Sequence, residues 1–199
     1  MKHFLTSVCT LLFLNNFQAQ ENDLRKIKLA PPITNSDSII REGIKLHDDK
    51  KYDEAIAEYD KINENDSSYV LAQYELILSY MALKKDSTAI AICDNLIRLN
   101  NSYYSKALLL KANAYDNLKQ YAKSEEIYKY GIKTFPLSPK FYHELAVSYY
   151  NQKKYKEARD NYINAIKINP QYSPSHFQLG LLALKQKKII PAMLSFQFY

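Results

Sequence analysis

The feature that most constrains this 199-residue sequence is a pattern that recurs every 34 residues. The clearest copy contains, in order, Tyr142, Leu145, Ala146, Tyr149, Ala158, Tyr162, Ala165 and Pro170. Shifting by 34 residues toward the C-terminus gives His176, Leu179, Gly180, Ala183, Ala192 and Phe196. The opposite shift gives Leu108, Lys111, Ala112, Tyr115, Ser124, Tyr128, Gly131 and Pro136. A fixed period of this length is typical of repeat architectures, whose stacked units bury one continuous core.

Two earlier copies follow the same pattern after a slip of one residue. The later of them contains Gln73, Leu76, Ile77, Tyr80, Ala89, Cys93, Leu96 and Asn101. The first contains Ile39, Glu42, Gly43, Leu46, Ala55, Tyr59 and Ile62. We therefore predict an array over residues 36–199, with units at 36–69, 70–103, 105–138, 139–172 and an incomplete 173–199.

Each unit has the signals of two helices. Apolar residues recur at steps of three and four, as in Leu71, Tyr74, Leu78 and Met81, which is the spacing of one helix face. Prolines mark the boundaries, because Pro136 and Pro170 follow second helices while Pro139 and Pro174 open first helices after a serine N-cap. With only 3 Gly in the chain, the turns of an all-β sandwich or barrel are missing.

The three glycines fall at predicted contacts between helices. Gly43 and Gly180 lie in first helices and Gly131 in a second helix. A glycine inside a helix costs about 1 kcal/mol relative to alanine, so we expect close approach of the paired helix at these positions. Ala112 and Ala146 occupy the equivalent place in other units.

This arrangement resembles the tetratricopeptide repeat, whose units carry an aromatic residue, a Leu-Gly pair and a Tyr, followed by Ala, an aromatic residue and a Pro. The family's first Trp is absent from every unit, and Ile77 replaces the small residue of the second unit. The resemblance implies an all-α fold, a right-handed superhelical solenoid of helix-turn-helix repeats. It also implies a protein that binds other polypeptides along the groove formed by the first helices.

The first 20 residues are predicted to be a cleaved signal peptide. Lys2 precedes a mostly apolar run from Phe4 to Phe17, and Ala19 lies near a plausible cleavage point. The alternative is an uncleaved anchor, but the run is shorter than the roughly 20 apolar residues that span a bilayer. The segment resembles signals of Gram-negative bacteria of the Bacteroidetes kind, and Cys9 lacks the small preceding residue of a lipoprotein site.

The residues that flank the predicted array and the predicted location of the protein follow from the signal peptide and the last unit. Residues 21–35 are interpreted as a linker, and cleavage would leave Cys93 as the single cysteine, unable to form an internal disulfide. We expect a periplasmic or secreted protein with no transmembrane span. The last unit ends in apolar residues where a solenoid needs a polar cap, so we expect a longer chain or a surface covering Leu194, Phe196, Phe198 and Tyr199.

Catalytic and metal-binding patterns are weak. No two of the four histidines, His3, His47, His143 and His176, have the four-residue spacing with which a helix binds a metal. Isolated glycines provide no phosphate-binding loop. Cys93 takes the place of an aromatic residue in other units and is interpreted as core. We therefore expect a protein that is not an enzyme and needs no cofactor.

The resemblance places the candidate binding residues on the first helices. They are Tyr74, Leu78, Met81, Leu109, Asn113, Asp116, Asn117, His143, Val147, Tyr150, Asn151, Phe177 and Leu181, with Leu184 one turn further. Their mixed character suits an extended segment or an amphipathic helix. The family's clamp for a terminal carboxylate is not expected, because only Asn113 fits it. The alternative is that these residues are ordinary core or are covered by a continuation of the array.

Lysines recur at the turn within each unit. They are Lys50-Lys51, Lys84-Lys85, Lys119, Lys153-Lys154 and Lys187-Lys188. Lysine at a helix C-terminus stabilises the helix dipole by about 0.3–1 kcal/mol, which is a sufficient structural explanation. The functional alternative is weak association of a basic edge with an anionic envelope surface. We do not expect nucleic-acid binding, because only Arg25, Arg41, Arg98 and Arg159 are arginines.

Two functions fit this sequence. The first is a non-catalytic scaffold or adaptor of the cell envelope that binds a peptide or helix in the groove. The second is the periplasmic sensory region of a membrane-bound sensor kinase or transcriptional regulator. A span of about 20 apolar residues followed by an effector region downstream would indicate the second.

Overall fold

The computed structural model describes residues 35–185 together with residues 191, 194, 195 and 197. The predicted signal peptide, nearly all of the predicted linker and most of the last predicted helix lie outside the described residues. Within that part of the chain every regular element is an α-helix. The nine helices are α1 Asn35–Asp48, α2 Tyr52–Tyr59, α3 Tyr69–Ala82, α4 Asp86–Arg98, α5 Tyr104–Asn117, α6 Tyr121–Thr134, α7 Pro139–Asn151, α8 Tyr155–Ile168 and α9 Ser173–Lys185.

The helices pack in the order in which they occur in the chain. From α2 to α9, each helix contacts the next one. The first helices of neighbouring units also contact each other directly, α3 with α5 and α5 with α7. This sequential packing confirms the all-α solenoid that the 34-residue pattern predicts.

One position of the second helices holds the largest buried side chains. Tyr59, Tyr128 and Tyr162 are 0%, 0% and 1% exposed, and Cys93 at the equivalent place in the second unit is also fully buried. Burial raises the pKa of the Cys93 thiol to about 12, so the thiolate form that a nucleophile needs is suppressed. The interpretation of Cys93 as core is confirmed.

Two glycines lie where helices come into close contact. A Cβ atom on Gly43 would lie 2.7 Å from Cζ of Tyr59, and one on Gly131 would lie 2.8 Å from Cζ of Phe141. Both rings are fully buried, so neither can move aside at low cost. The expected approach of the paired helix is present at Gly43, whereas at Gly131 the close contact is with α7 of the next unit.

The turn lysines adopt an unusual backbone conformation. Lys50, Lys84, Lys119 and Lys153 have φ values of 63°, 58°, 59° and 62°. In each turn the residue after the lysine donates its N–H to a carbonyl five residues earlier, as from Lys85 to Tyr80 at 2.8 Å. This is the Schellman motif, whose left-handed position usually holds glycine. Proximity to the helix dipole is therefore only part of the explanation for these lysines.

Replacing Lys84 with glycine is expected to stabilise the protein. A left-handed conformation costs an L-residue about 1–2 kcal/mol, and the extra backbone entropy of glycine offsets about 0.5–1 kcal/mol of that. We expect the free energy of unfolding in urea to rise by about 0.5–1 kcal/mol. Lys84→Ala is the control, because it removes the charge and keeps the Cβ atom. An equal gain in both variants would contradict the backbone explanation.

Candidate functional site

The structure gathers part of the predicted groove around one recess between α3, α5 and α7. The recess has a volume of about 290 Å³. Six of the predicted binding residues line it, namely Met81, Asn113, Asp116, Asn117, Val147 and Asn151. Tyr128 and Glu144 complete the lining.

Asp116 is the centre of the polar contacts in this recess. Its carboxylate accepts hydrogen bonds from the hydroxyls of Ser124, Ser148 and Tyr128, the last two at 2.8 and 3.1 Å. All three donors are buried. Burial raises the pKa of Asp116 although the hydroxyl hydrogen bonds act in the opposite direction. The network joins α5, α6 and α7 through one charged group.

Glu144 is the second carboxylate of the recess. Burial raises its pKa, and the charge of Asp116 raises it further, whereas Lys140 lowers it. The ion pairs found among residues 35–185 include neither Glu144 nor Asp116. Negative charge in this recess is therefore opposed by desolvation and by the neighbouring carboxylate.

Two of the three asparagine side chains of the recess, Asn117 and Asn151, differ in their hydrogen-bond partners. Asn117 donates to the buried carboxylate of Asp86 at 2.7 Å, which links α5 to α4. Asn151 lies exposed at the end of α7. Within the described residues, Asn151 makes no hydrogen bond through its side chain, so its amide faces solvent at the mouth of the recess.

The predicted groove tyrosines do not line the recess and already contact lysines of the same chain. The Tyr74 ring packs against Tyr103 at 4.9 Å between centroids, with Lys106 Nζ 5.2 Å from the Tyr74 ring. Tyr150 packs against Tyr155 at 5.6 Å, with Lys185 Nζ 5.0 Å from the Tyr150 ring. Each pair thus holds one ammonium group over its aromatic faces.

The remaining predicted residues divide into accessible and buried positions. Leu181 and Leu184 on α9 are 38% and 48% exposed. The other apolar ones are half-buried, namely Leu78, Leu109 and Phe177. His143 is 8% exposed, and its Nδ1 lies 2.9 Å from the Ser175 hydroxyl in the contact between α7 and α9. The structure therefore does not bring His143 into the recess, since α9 covers it.

Two recess residues were not predicted. Glu144 precedes Val147 by three residues and Asn151 by seven, so helical spacing alone could have placed it on the same face. Tyr128 belongs to a second helix, and its hydroxyl reaches the recess across α5. No spacing within the first helices indicates that contribution.

In residues 35–185 no three His, Cys, Asp or Glu side chains lie close enough together to hold a metal ion. None of the described helices is long and apolar enough to cross a bilayer.

The buried hydroxyl of Tyr59 provides a test of the packing of the second helices. Unlike Tyr128, Tyr59 has no hydrogen-bond partner for its hydroxyl among the described residues. An unsatisfied buried polar group costs about 1–3 kcal/mol. Tyr59→Phe is therefore expected to raise the free energy of unfolding by about 1 kcal/mol, whereas Tyr128→Phe lowers it by about 1 kcal/mol. Urea denaturation of both variants measures this, and equal changes in both would contradict it.

The consecutive helix pairs, their direct first-helix contacts and the recess between them define an α-solenoid repeat protein. Residues 139–172 and residues 105–134 each match the profile of the tetratricopeptide repeat. These two segments are tetratricopeptide repeats, a motif that mediates protein–protein interaction and is typically non-catalytic.

Solved structures with a similar fold include several forms of MamA. A MamA RS-1 ArsTM double mutant has a TM-score of 0.59 at 14% identity, covering 83% of this chain and 93% of that one. MamA 41-end from Desulfovibrio magneticus RS-1 has a TM-score of 0.57 at 16% identity, with the same coverage of 83% and 93%. A further MamA structure has a TM-score of 0.57 at 19% identity, covering 78% and 91%. At these identities the likeness concerns the fold. No curated protein sequence matches the chain significantly.

Proposed function

We propose that this protein is a non-catalytic scaffold or adaptor of the cell envelope that binds a segment of another polypeptide along its first helices. The observation that carries the proposal is the combination of accessible apolar side chains with a polar recess on that one face. Leu181 and Leu184 are exposed on α9, and Met81 and Val147 line the recess together with carboxylates and amides. Apolar anchors beside polar groups suit an amphipathic helix or an extended segment.

The leucines of α9 give the sharpest test of this surface. Changing both Leu181 and Leu184 to serine is expected to reduce partner binding by at least about tenfold, because losing 1.4 kcal/mol is a factor of ten in affinity. The measurement is chemical cross-linking of the full chain in its envelope fraction, followed by quantitative mass spectrometry of the cross-linked partners.

Two other exposed leucines provide a matched control. Leu99 and Leu137 are 50% and 85% exposed, and they lie at the end of α4 and between α6 and α7. Their double serine variant removes the same apolar groups away from the first helices. Equal cross-linking of wild type and the α9 variant, or equal loss in both variants, would count against the groove.

The cellular location that we propose depends on cleavage of residues 1–20. The supporting observations are the apolar run from Phe4 to Phe17 and the polar residues that follow it. Expression of the full chain, fractionation and N-terminal sequencing test this. We expect a mature protein in the periplasm or medium that begins near Glu21. A cytoplasmic product that retains Met1 would refute export.

Weak association with an anionic envelope surface is the second part of this proposal. It is supported by the net charge of +6 and by the exposed lysines of the turns. Changing Lys50, Lys84 and Lys153 together to glutamate is expected to lower binding to anionic vesicles, because it replaces attraction by repulsion. The measurement is made at low salt, since salt screens exposed charges beyond a Debye length of about 10 Å at 0.1 M. Unchanged vesicle binding would show that the turn lysines do not mediate association with an anionic surface.

A further inference from the structure

The recess between α3, α5 and α7 has the size of a side-chain pocket. Its volume of about 290 Å³ lies just below the range of about 300–1,000 Å³ for small-molecule sites. Its wall includes Val147, whose position in the 34-residue repeat is that of the exposed Leu181 on α9. A partner segment lying along the first helices could place one side chain in it.

The residues that line the recess differ in whether their hydrogen-bond acceptors are already occupied. Asp116 already accepts three hydroxyl hydrogen bonds. Its contribution to a bound ligand is therefore its negative charge and not a free acceptor position. Within the described residues the carboxylate of Glu144 and the amide of Asn151 make no hydrogen bond. Met81 and Val147 form the apolar part of the wall. The recess therefore combines acceptors, negative charge and an apolar wall.

The lysines that could neutralise this charge are placed elsewhere. Lys106 Nζ lies 4.5 Å from the Tyr103 ring centroid, and Lys185 Nζ lies 4.7 Å from that of Tyr155. Lys140 attracts Glu144 but forms no ion pair with it among the described residues. In a chain with a net charge of +6, these two carboxylates thus have no ion-pair partner in the part of the chain that the structure describes.

The charge of Glu144 also acts on two tyrosines of its own unit outside the recess. Burial first and the charge of Glu144 second raise the pKa of both Tyr162 and Tyr172. These tyrosines lie on α8 and just before α9, in a different part of the array from Asp116.

We propose that this recess binds the cationic head of one arginine or lysine side chain from the partner segment, an inference that rests on the proposed function. Glu144 and the side-chain oxygen of Asn151 accept its N–H hydrogen bonds, and Asp116 stabilises its charge. Met81 and Val147 contact the methylene groups of its stem, as is usual for long basic side chains. Arginine is the better fit, because its planar guanidinium donates two parallel hydrogen bonds to a carboxylate.

The test is selection of random dodecamer peptides by phage display on the full chain. We expect the selected peptides to carry a basic residue at one fixed place beside apolar residues. Synthetic versions with Arg, Lys or Gln at that place are then titrated by calorimetry. Changing Arg to Gln is expected to weaken binding to wild type about tenfold, equivalent to 1.4 kcal/mol.

The variant Glu144→Gln keeps the shape of the side chain and removes its charge. On this variant the Arg and Gln peptides are expected to bind within about twofold of each other, since the charge-dependent term is lost. Glu126→Gln, an exposed position on α6, is the matched control and retains the full preference. In wild type, the pKa of Glu144 followed by NMR is expected to fall when the Arg peptide binds, because a nearby cation favours the carboxylate.

The outcomes separate the two proposals. Selected peptides that show no preference for a basic residue, yet bind the α9 leucine variant more weakly than wild type, would overturn the cationic pocket and leave the groove intact. A basic preference that persists in Glu144→Gln, or an unchanged pKa of Glu144, would also overturn the pocket. Failure to select any peptide on the wild type would count against both the pocket and the proposed function.

Discussion

Replacement of Asp116 by alanine is expected to lower the free energy of unfolding by about 3 kcal/mol, because buried donors left without a partner cost about 1–3 kcal/mol each. Ser148 and Tyr128 both donate to this carboxylate, and Ser124 does so as well. Ser124 also lies 3.0 Å from the carbonyl of Tyr121, and Tyr128 also contacts Asn113. Those alternative partners reduce the loss, so Ser148 contributes most of it.

The isosteric variant Asp116→Asn separates hydrogen bonding from charge. It retains an acceptor oxygen and removes a carboxylate that is disfavoured by burial and by Glu144. Its free energy of unfolding at neutral pH is expected to lie within about 1 kcal/mol of wild type. Urea denaturation of both variants measures the difference. Similar losses for alanine and asparagine would show that the charge, and not the hydroxyl network, stabilises this contact.

Acidification is expected to destabilise the protein through His143 by up to about 3 kcal/mol between pH 6.5 and pH 4. Burial lowers the pKa of this imidazole from 6.5 to about 4, so the folded state favours the neutral ring. Between the two values the unfolded chain binds more protons than the folded one. The contribution of His143 is therefore complete above pH 6.5 and is lost as the pH falls toward 4.

The two carboxyl groups of the recess oppose this trend. Glu144 and Asp116 have raised pKa values, and a carboxyl group of that kind contributes stability that is lost as the pH rises. Neither ring that packs on His143, Tyr162 at 5.4 Å and Tyr172 at 5.5 Å between centroids, ionises in this range, since burial raises the pKa of each further.

The pH dependence of His143 is isolated by comparison with His143→Asn. Asparagine retains a polar group that can reach the Ser175 hydroxyl and does not titrate. The difference in free energy of unfolding between wild type and this variant is expected to change by about 3 kcal/mol from pH 7 to pH 4. A difference independent of pH would show that the ring is not held neutral by its burial.

The fold could be predicted from the sequence because each unit repeats its helix signals in the same order. Helical spacing gave the face of each first helix, and six predicted residues meet around the recess. Spacing does not specify which part of that face the next unit covers. Burial of His143 depends on where Ser175 and α9 come to rest, which is a tertiary property. The left-handed lysines escaped prediction for a related reason, since glycine is the usual signal for that conformation.

Several hydrogen bonds join residues about one unit apart, and they have a consequence for how the array comes apart. Asp116 accepts from Ser148, His47 contacts Ser79, and Asn117 donates to Asp86. Opening a single unit would strand a polar group in its neighbour, so melting one unit raises the chance that the next melts too. Such nearest-neighbour coupling makes a short array lose its structure in one cooperative step instead of fraying pair by pair.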